Sequence, residues 1–136
     1  MNFEEIVETF EFFDDWEERY RYIIEIGRDL EPLAPEHKVA ANKVEGCISQ
    51  VWLVHRVVEG TPAELHFEAD SDSHIVKGLI AILIALYSGK TSAMILATDI
   101  GQLFEQLGLS EHLSVNRRNG FYAMVGRIQA AAQQLA

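Results

Sequence analysis

The stretch GLIAILIALYSG, residues 78–89, restricts the folds open to this chain more than any other. A helix that is apolar nearly all round has no face to give to water, so other elements must enclose it. A bilayer span needs about 20 apolar residues, and this run is shorter. It therefore reads as a core helix over 74–87, capped by Asp72 or Ser73. The segments before and after it must supply the cover.

Upstream, residues 3–13 put Phe3, Ile6, Val7, Phe10 and Phe13 on one side of a short helix. Asp15 and Glu18 have capping-box spacing, and Trp16, Tyr20, Ile23, Gly27 and Leu30 follow at helical offsets. EPLAPEHK breaks that helix with two prolines. Near residue 51 the apolar period falls from about 3.6 to about 2. Val51, Leu53 and Val57 point one way, and Trp52, Val54 and Val58 the other. After the turn VEGTPAE, Leu65, Phe67 and Ala69 alternate inward. The pattern predicts an antiparallel hairpin joined by a short third strand around 42–46.

Downstream, SGKT ends the core helix and starts another near 92–97. Asp99 caps IGQLFEQLGL, which Gly108 stops. A last helix begins near Asn116, with Phe121, Val125, Ile128, Ala132 and Leu135 as its stripe. The order predicts an α+β fold: a small three-stranded antiparallel sheet with helices packed on one face. Residues 1–136 read as one domain.

Charge narrows the function. Acids outnumber bases 21 to 11, and 17 of the acids lie in residues 1–70. A nucleic-acid surface needs clustered Lys and Arg, so nucleic-acid binding is not expected. The acids either keep the domain soluble or steer a basic protein partner. MNFEEIVETFEFFDD lacks the basic start and apolar run of a signal peptide. With one cysteine and no membrane span, the expected location is the cytosol.

That cysteine lies in VEGCISQVWL, residues 44–53. It cannot form an internal disulfide. It is either a small hydrophobe filling space or a thiol that reacts with a sulfur brought by another molecule. Gly46 removes a side chain beside the sulfur and permits unusual backbone angles. The five histidines make no short-spaced metal pair with one another or with Cys47, so no zinc site is expected. His55 is a candidate base for a cysteine hydrolase, but no third, orienting group is evident. SGKT lacks the first glycine of a phosphate loop. Of the arginines in NRRNG, residues 116–120, either both are solvated or one is held near the thiol loop, where it lowers the thiol pKa or pairs with a carboxylate. Asp70 and Asp72 either serve a turn and a helix cap or bind a basic group of a partner.

VEGCISQVWL, DSDSHIVKGLIAILIALYSGKT and LGLSEHLSVNRRNGFYAMV, with DDWEERYRYIIEIGRDLEPL before them, resemble the SufE family of sulfur-acceptor proteins. The resemblance implies the α+β fold shared with IscU-type scaffolds. It implies that Cys47 takes persulfide sulfur from a SufS/CsdA-type cysteine desulfurase, stimulates that enzyme, and relays the sulfur to a downstream iron–sulfur scaffold. The pyridoxal phosphate (PLP) resides in the partner, so this chain is expected to bind no cofactor. Glu45, Gly46, Ile48, Ser49 and Gln50 would form the loop that presents Cys47. Asp70 takes the family's acidic position before the core helix, and Arg117 its arginine three residues before a helix glycine. Val115 and Ser92 stand where relatives often have proline. Alternatives are a regulator that accepts no sulfur, or a CsdE-type acceptor for another pathway; Gln50 leans to the SufE side. A persulfide is vulnerable to reductants, so Cys47 is expected to rest in a recess and emerge when the partner docks.

Overall fold

A computed structural model describes residues 2–47 and 49–136. Helices α1 (Phe3–Phe12) and α2 (Trp16–Arg28) come first, then two short 3-10 turns (Pro35–His37 and Ala40–Asn42). Strands β1 (Val51–Val58) and β2 (Glu64–Ser71) follow, then α3 (His74–Tyr87) and β3 (Lys90–Thr91). Helices α4 (Ser92–Ala97), α5 (Ile100–Gln106), α6 (Leu109–His112) and α7 (Val115–Leu135) complete the chain.

The capping side chains lie at the helix starts. Asp15 Oδ1 accepts from Glu18 N at 2.8 Å, Asp99 Oδ1 from Gln102 N at 3.1 Å, and Ser114 Oγ from Arg117 N at 3.2 Å. Each satisfies a backbone donor that its helix leaves unpaired. Ser73, rather than Asp72, caps α3.

The sheet has the antiparallel order β1-β2-β3, with Val51 opposite Ser71 and Val58 opposite Glu64. Val51 and Leu53 on β1 and Leu65, Phe67 and Ala69 on β2 are buried. Helix α3 covers β2 and α2 covers α3. Ile75, Leu79, Ile80, Ile82 and Leu83 of α3 join them in one core, the α+β arrangement that the period change predicts.

The third strand is elsewhere than expected. Segment 42–46 contributes only one bridge, Lys43 to Trp52. The 3-10 turn ends at Asn42 and the turn around Gly46 begins two residues after Lys43, so too little extended chain remains for a strand. The third strand is Lys90–Thr91. Gly89, at φ +77°, reverses the chain after α3, and its N–H donates to Leu65 O at 2.8 Å. Among the described residues, no helix is long and apolar enough to cross a membrane.

Candidate functional site

Between Val44 and β1, residues 45–47 and 49–50 form no helix or strand, and the neck of this segment is closed like a hairpin. Val44 N–H donates to Val51 O at 2.8 Å, and the Lys43–Trp52 bridge lies beside it. Arg127 Nη1 of α7 donates to Lys43 O at 3.0 Å and ties this neck to the last helix. Gly46 turns the chain at φ +89°, which a side chain would resist.

Cys47 follows and lies against α7, partly buried. Its Sγ is 3.6 Å from Gly120 O, as a thiol donating to a carbonyl. Gly120 is buried, and a Cβ there would come within 3.3 Å of the sulfur. A glycine inside a helix costs stability relative to alanine. Here it makes room for the thiol to approach the backbone.

The sulfur lines a cavity of about 390 Å³. Val51, Val76 and Leu79 supply an apolar wall from β1 and α3, and Phe121 and Met124 another from α7. Ser49, Ser114, Asn116 and Arg117 supply the polar part. The first turn of α7 thus faces the sulfur, and the start of a helix carries partial positive charge. Among the described residues, the Arg117 guanidinium has no hydrogen-bond or carboxylate partner. Arg118 points elsewhere and donates to Ser110 O at 3.2 Å.

The resting thiol is held neutral. Burial pushes the Cys47 pKa up, the opposite direction to the one that the alternative of an arginine beside the thiol allowed. Desolvation of the thiolate prevails in this pocket, and the carbonyl of Gly120 accepts from the S–H form alone. Burial and the Gly120 carbonyl thus both favour the thiol over the thiolate at this site.

Three of the residues expected around Cys47 are loop members in different settings. Glu45 and Gln50 are exposed, and Ser49 turns into the cavity. Ile48 lies outside the described residues. Gln50 N–H donates to Asp72 Oδ1 at 3.0 Å. Asp70 is not among the cavity-lining residues. It is buried, accepting from Ser71 N at 2.8 Å and Leu33 N at 3.1 Å, with Lys38 Nζ at 3.2 Å and Lys77 Nζ at 3.7 Å. Burial alone would raise its pKa. The N–H groups of Ser71 and Leu33 and the Lys38 ammonium outweigh that and hold it below the usual value. Asp70 thus fastens the segment after α2 to the sheet.

The sequence reading missed Gly120 as the acceptor facing the sulfur, Asp72 as the anchor of Gln50, and Arg127 as the tie to the neck. A glycine within the helical run after NRR was a usable signal for Gly120. The other two are long-range contacts without a local pattern. His55 is exposed on β1, with its ring 6.1 Å from that of Phe67, and is not among the cavity-lining residues. Among the described residues, no three His, Cys, Asp or Glu side chains gather as a metal site requires.

Three comparisons bear on this geometry. The profile of the SufE family, described as an Fe–S metabolism associated domain, matches residues 4–132. An uncharacterized SufE-like protein of Rhizobium etli is 49% identical over 132 residues, covering 96% of this chain and 88% of its own. One of Rhizobium meliloti is 44% identical over 131 residues, covering 96% and 94%. The solution structure of a hypothetical protein from Thermus thermophilus has the same fold, with a TM-score of 0.75 at 18% identity, over 98% of this chain and 94% of its own.

Proposed function

The chain belongs to the SufE family, which gives it a sulfur-acceptor role linked to iron–sulfur metabolism, and from that premise we propose that Cys47 is the atom that carries the sulfur. The donor is the persulfide of a SufS/CsdA-type cysteine desulfurase. The Cys47 thiolate attacks the terminal sulfur of that persulfide in line with the bond that breaks. One S–S bond forms on Cys47, the partner's S–S bond opens, and the partner's cysteine leaves as a thiolate. The Cys47 proton is lost before attack, so the exchange needs no external oxidant or reductant. PLP stays in the desulfurase, and a downstream iron–sulfur scaffold receives the sulfur.

The observation that carries this reading is the position of Cys47, the chain's sole cysteine, at a loop tip over a cavity that exceeds the needs of a thiol. A terminal persulfide sulfur fits between the apolar wall and the first turn of α7, away from reductants. Arg117 and the helix start favour its negative charge there. Carriage by Cys47 makes Cys47→Ser a clean test against a regulator that only docks. The serine variant is expected to lose stimulation of cysteine turnover by the desulfurase, down to the rate of the desulfurase alone. Stimulation kept in the serine variant would overturn carriage in favour of regulation.

A further inference from the structure

We infer that the groove between α2, α3 and β2 docks a basic segment of a partner protein, with a lysine or arginine side chain as its anchor. The inference is independent of the sulfur-carrier reading of Cys47.

A helix that is apolar nearly all round has no face to give to water, and most of α3 is buried accordingly. One strip is not. Ala81, Ile84 and Ala85 are only partly buried and line a cavity of about 600 Å³. Ile26 of α2 and Phe67 of β2, both buried, add to its apolar lining. The Cys47 cavity takes Val76 and Leu79 from the same helix, and no residue lines both. At about 3.6 residues per turn, the two sets lie on different sides of α3. An occupant of the groove therefore leaves the Cys47 cavity open to another molecule.

The rim selects the occupant. Asp29, Glu31 and Glu68 are exposed and line the groove, and no lysine or arginine does so among the described residues. Among those residues, none of the three carboxylates has a hydrogen-bond or ion-pair partner. An acidic occupant is repelled, and a purely apolar one takes water from the carboxylates without replacing it. A lysine or arginine side chain fits both parts. Its methylene stem lies on Ala81, Ile84 and Ala85, and its charged head stays at the acidic rim. A groove of this size takes one or two side chains rather than a whole interface, so it is the anchor point of a wider contact.

The test is a titration of the full chain, followed by the NMR methyl signals of Ala81, Ile84 and Ala85. The probes are three capped peptides of equal length: alternating leucine and arginine, alternating leucine and glutamate, and alternating serine and arginine. The leucine–arginine peptide is expected to shift the three signals saturably, and the leucine–glutamate peptide to leave them in place. The serine–arginine peptide leaves the apolar lining unused and is expected to bind about ten-fold more weakly. Asp29→Asn combined with Glu31→Gln and Glu68→Gln is expected to weaken the leucine–arginine peptide about ten-fold, the weight of three solvent-screened charges. Glu4→Gln combined with Glu8→Gln and Glu11→Gln removes the same charge from α1 and is expected to keep near-native affinity. All six side chains are exposed, so neither variant threatens the core. Unmoved groove methyls would overturn the inference. So would equal binding of the serine–arginine peptide, or equal weakening by the α1 variant, either of which would reduce the effect to general acidity. Binding of n-butylguanidine as tight as that of the leucine–arginine peptide would overturn it in favour of a pocket for a small cation.

Discussion

Tyr87, Cys47 and Asp70 show how partners decide what burial does to a titrating group. Tyr87 is wholly buried and, among the described residues, its hydroxyl has no hydrogen-bond partner. Burial pushes its pKa to about 12, against 10.0 in the open. The partly buried thiol of Cys47 shifts the same way, whereas the bonds and lysines around Asp70 reverse the sign. Removing the stranded hydroxyl should help the fold: Tyr87→Phe is expected to be about 1 kcal/mol more stable at neutral pH, read by chemical denaturation. The pH dependence follows from linkage. The folded tyrosine holds its proton to about pH 12 while the unfolded one releases it from about 10. The native protein therefore keeps this contribution in full below pH 10 and loses it between 10 and 12. The margin of Tyr87→Phe over the native chain should widen across that window; a constant margin would show that the hydroxyl is not buried alone.

At the scale of elements, the crossing of α2 and α3 fixes α3, whose Val76 and Leu79 line the cavity opposite α7. A Cβ on Gly78 would land on the backbone of Ile23, and one on Gly27 would come within 2.5 Å of Gly78 N. The two glycines let the helices touch backbone to backbone. Gly78→Ala should cost about 3 kcal/mol or more despite the better helix propensity of alanine, because a close-packed crossing cannot make room for a methyl group. A melting temperature equal to native would contradict that crossing. These elements were largely legible in the sequence. The all-apolar run gave α3, the change of period gave β1 and β2, and Asp15, Asp99 and Gly108 marked helix ends. The placement of β3 was not legible, since Lys90 and Thr91 carry no strand pattern and join the sheet only because Gly89 turns them onto Leu65. The site divides in the same way. The thiol and its loop were visible as local sequence, while the anchors Gly120, Asp72 and Arg127 lie 73, 22 and 84 residues from the groups they hold. Spacing along the chain carries no trace of such contacts.

For the whole molecule, the proposed function reads the parts as a store for one sulfur atom. The sheet and α3 hold the neck of the loop, α7 supplies the carbonyl, the helix start and Arg117, and Asp72 accepts from Gln50 N at the start of β1. The exposed acids of α1 and α2, among them Glu4, Glu8, Glu11 and Glu17, leave the first part of the chain strongly negative. Such a field speeds encounter with a basic surface more than it strengthens the complex. The most direct test of carriage is the mass of the Cys47-bearing peptide, taken after the native chain has turned over with a cysteine desulfurase and cysteine and been quenched without reductant. The expected result is one added sulfur atom on that peptide, removed by a thiol reductant and absent when cysteine is withheld. An unmodified Cys47 peptide, recovered while the desulfurase is being stimulated, would contradict it.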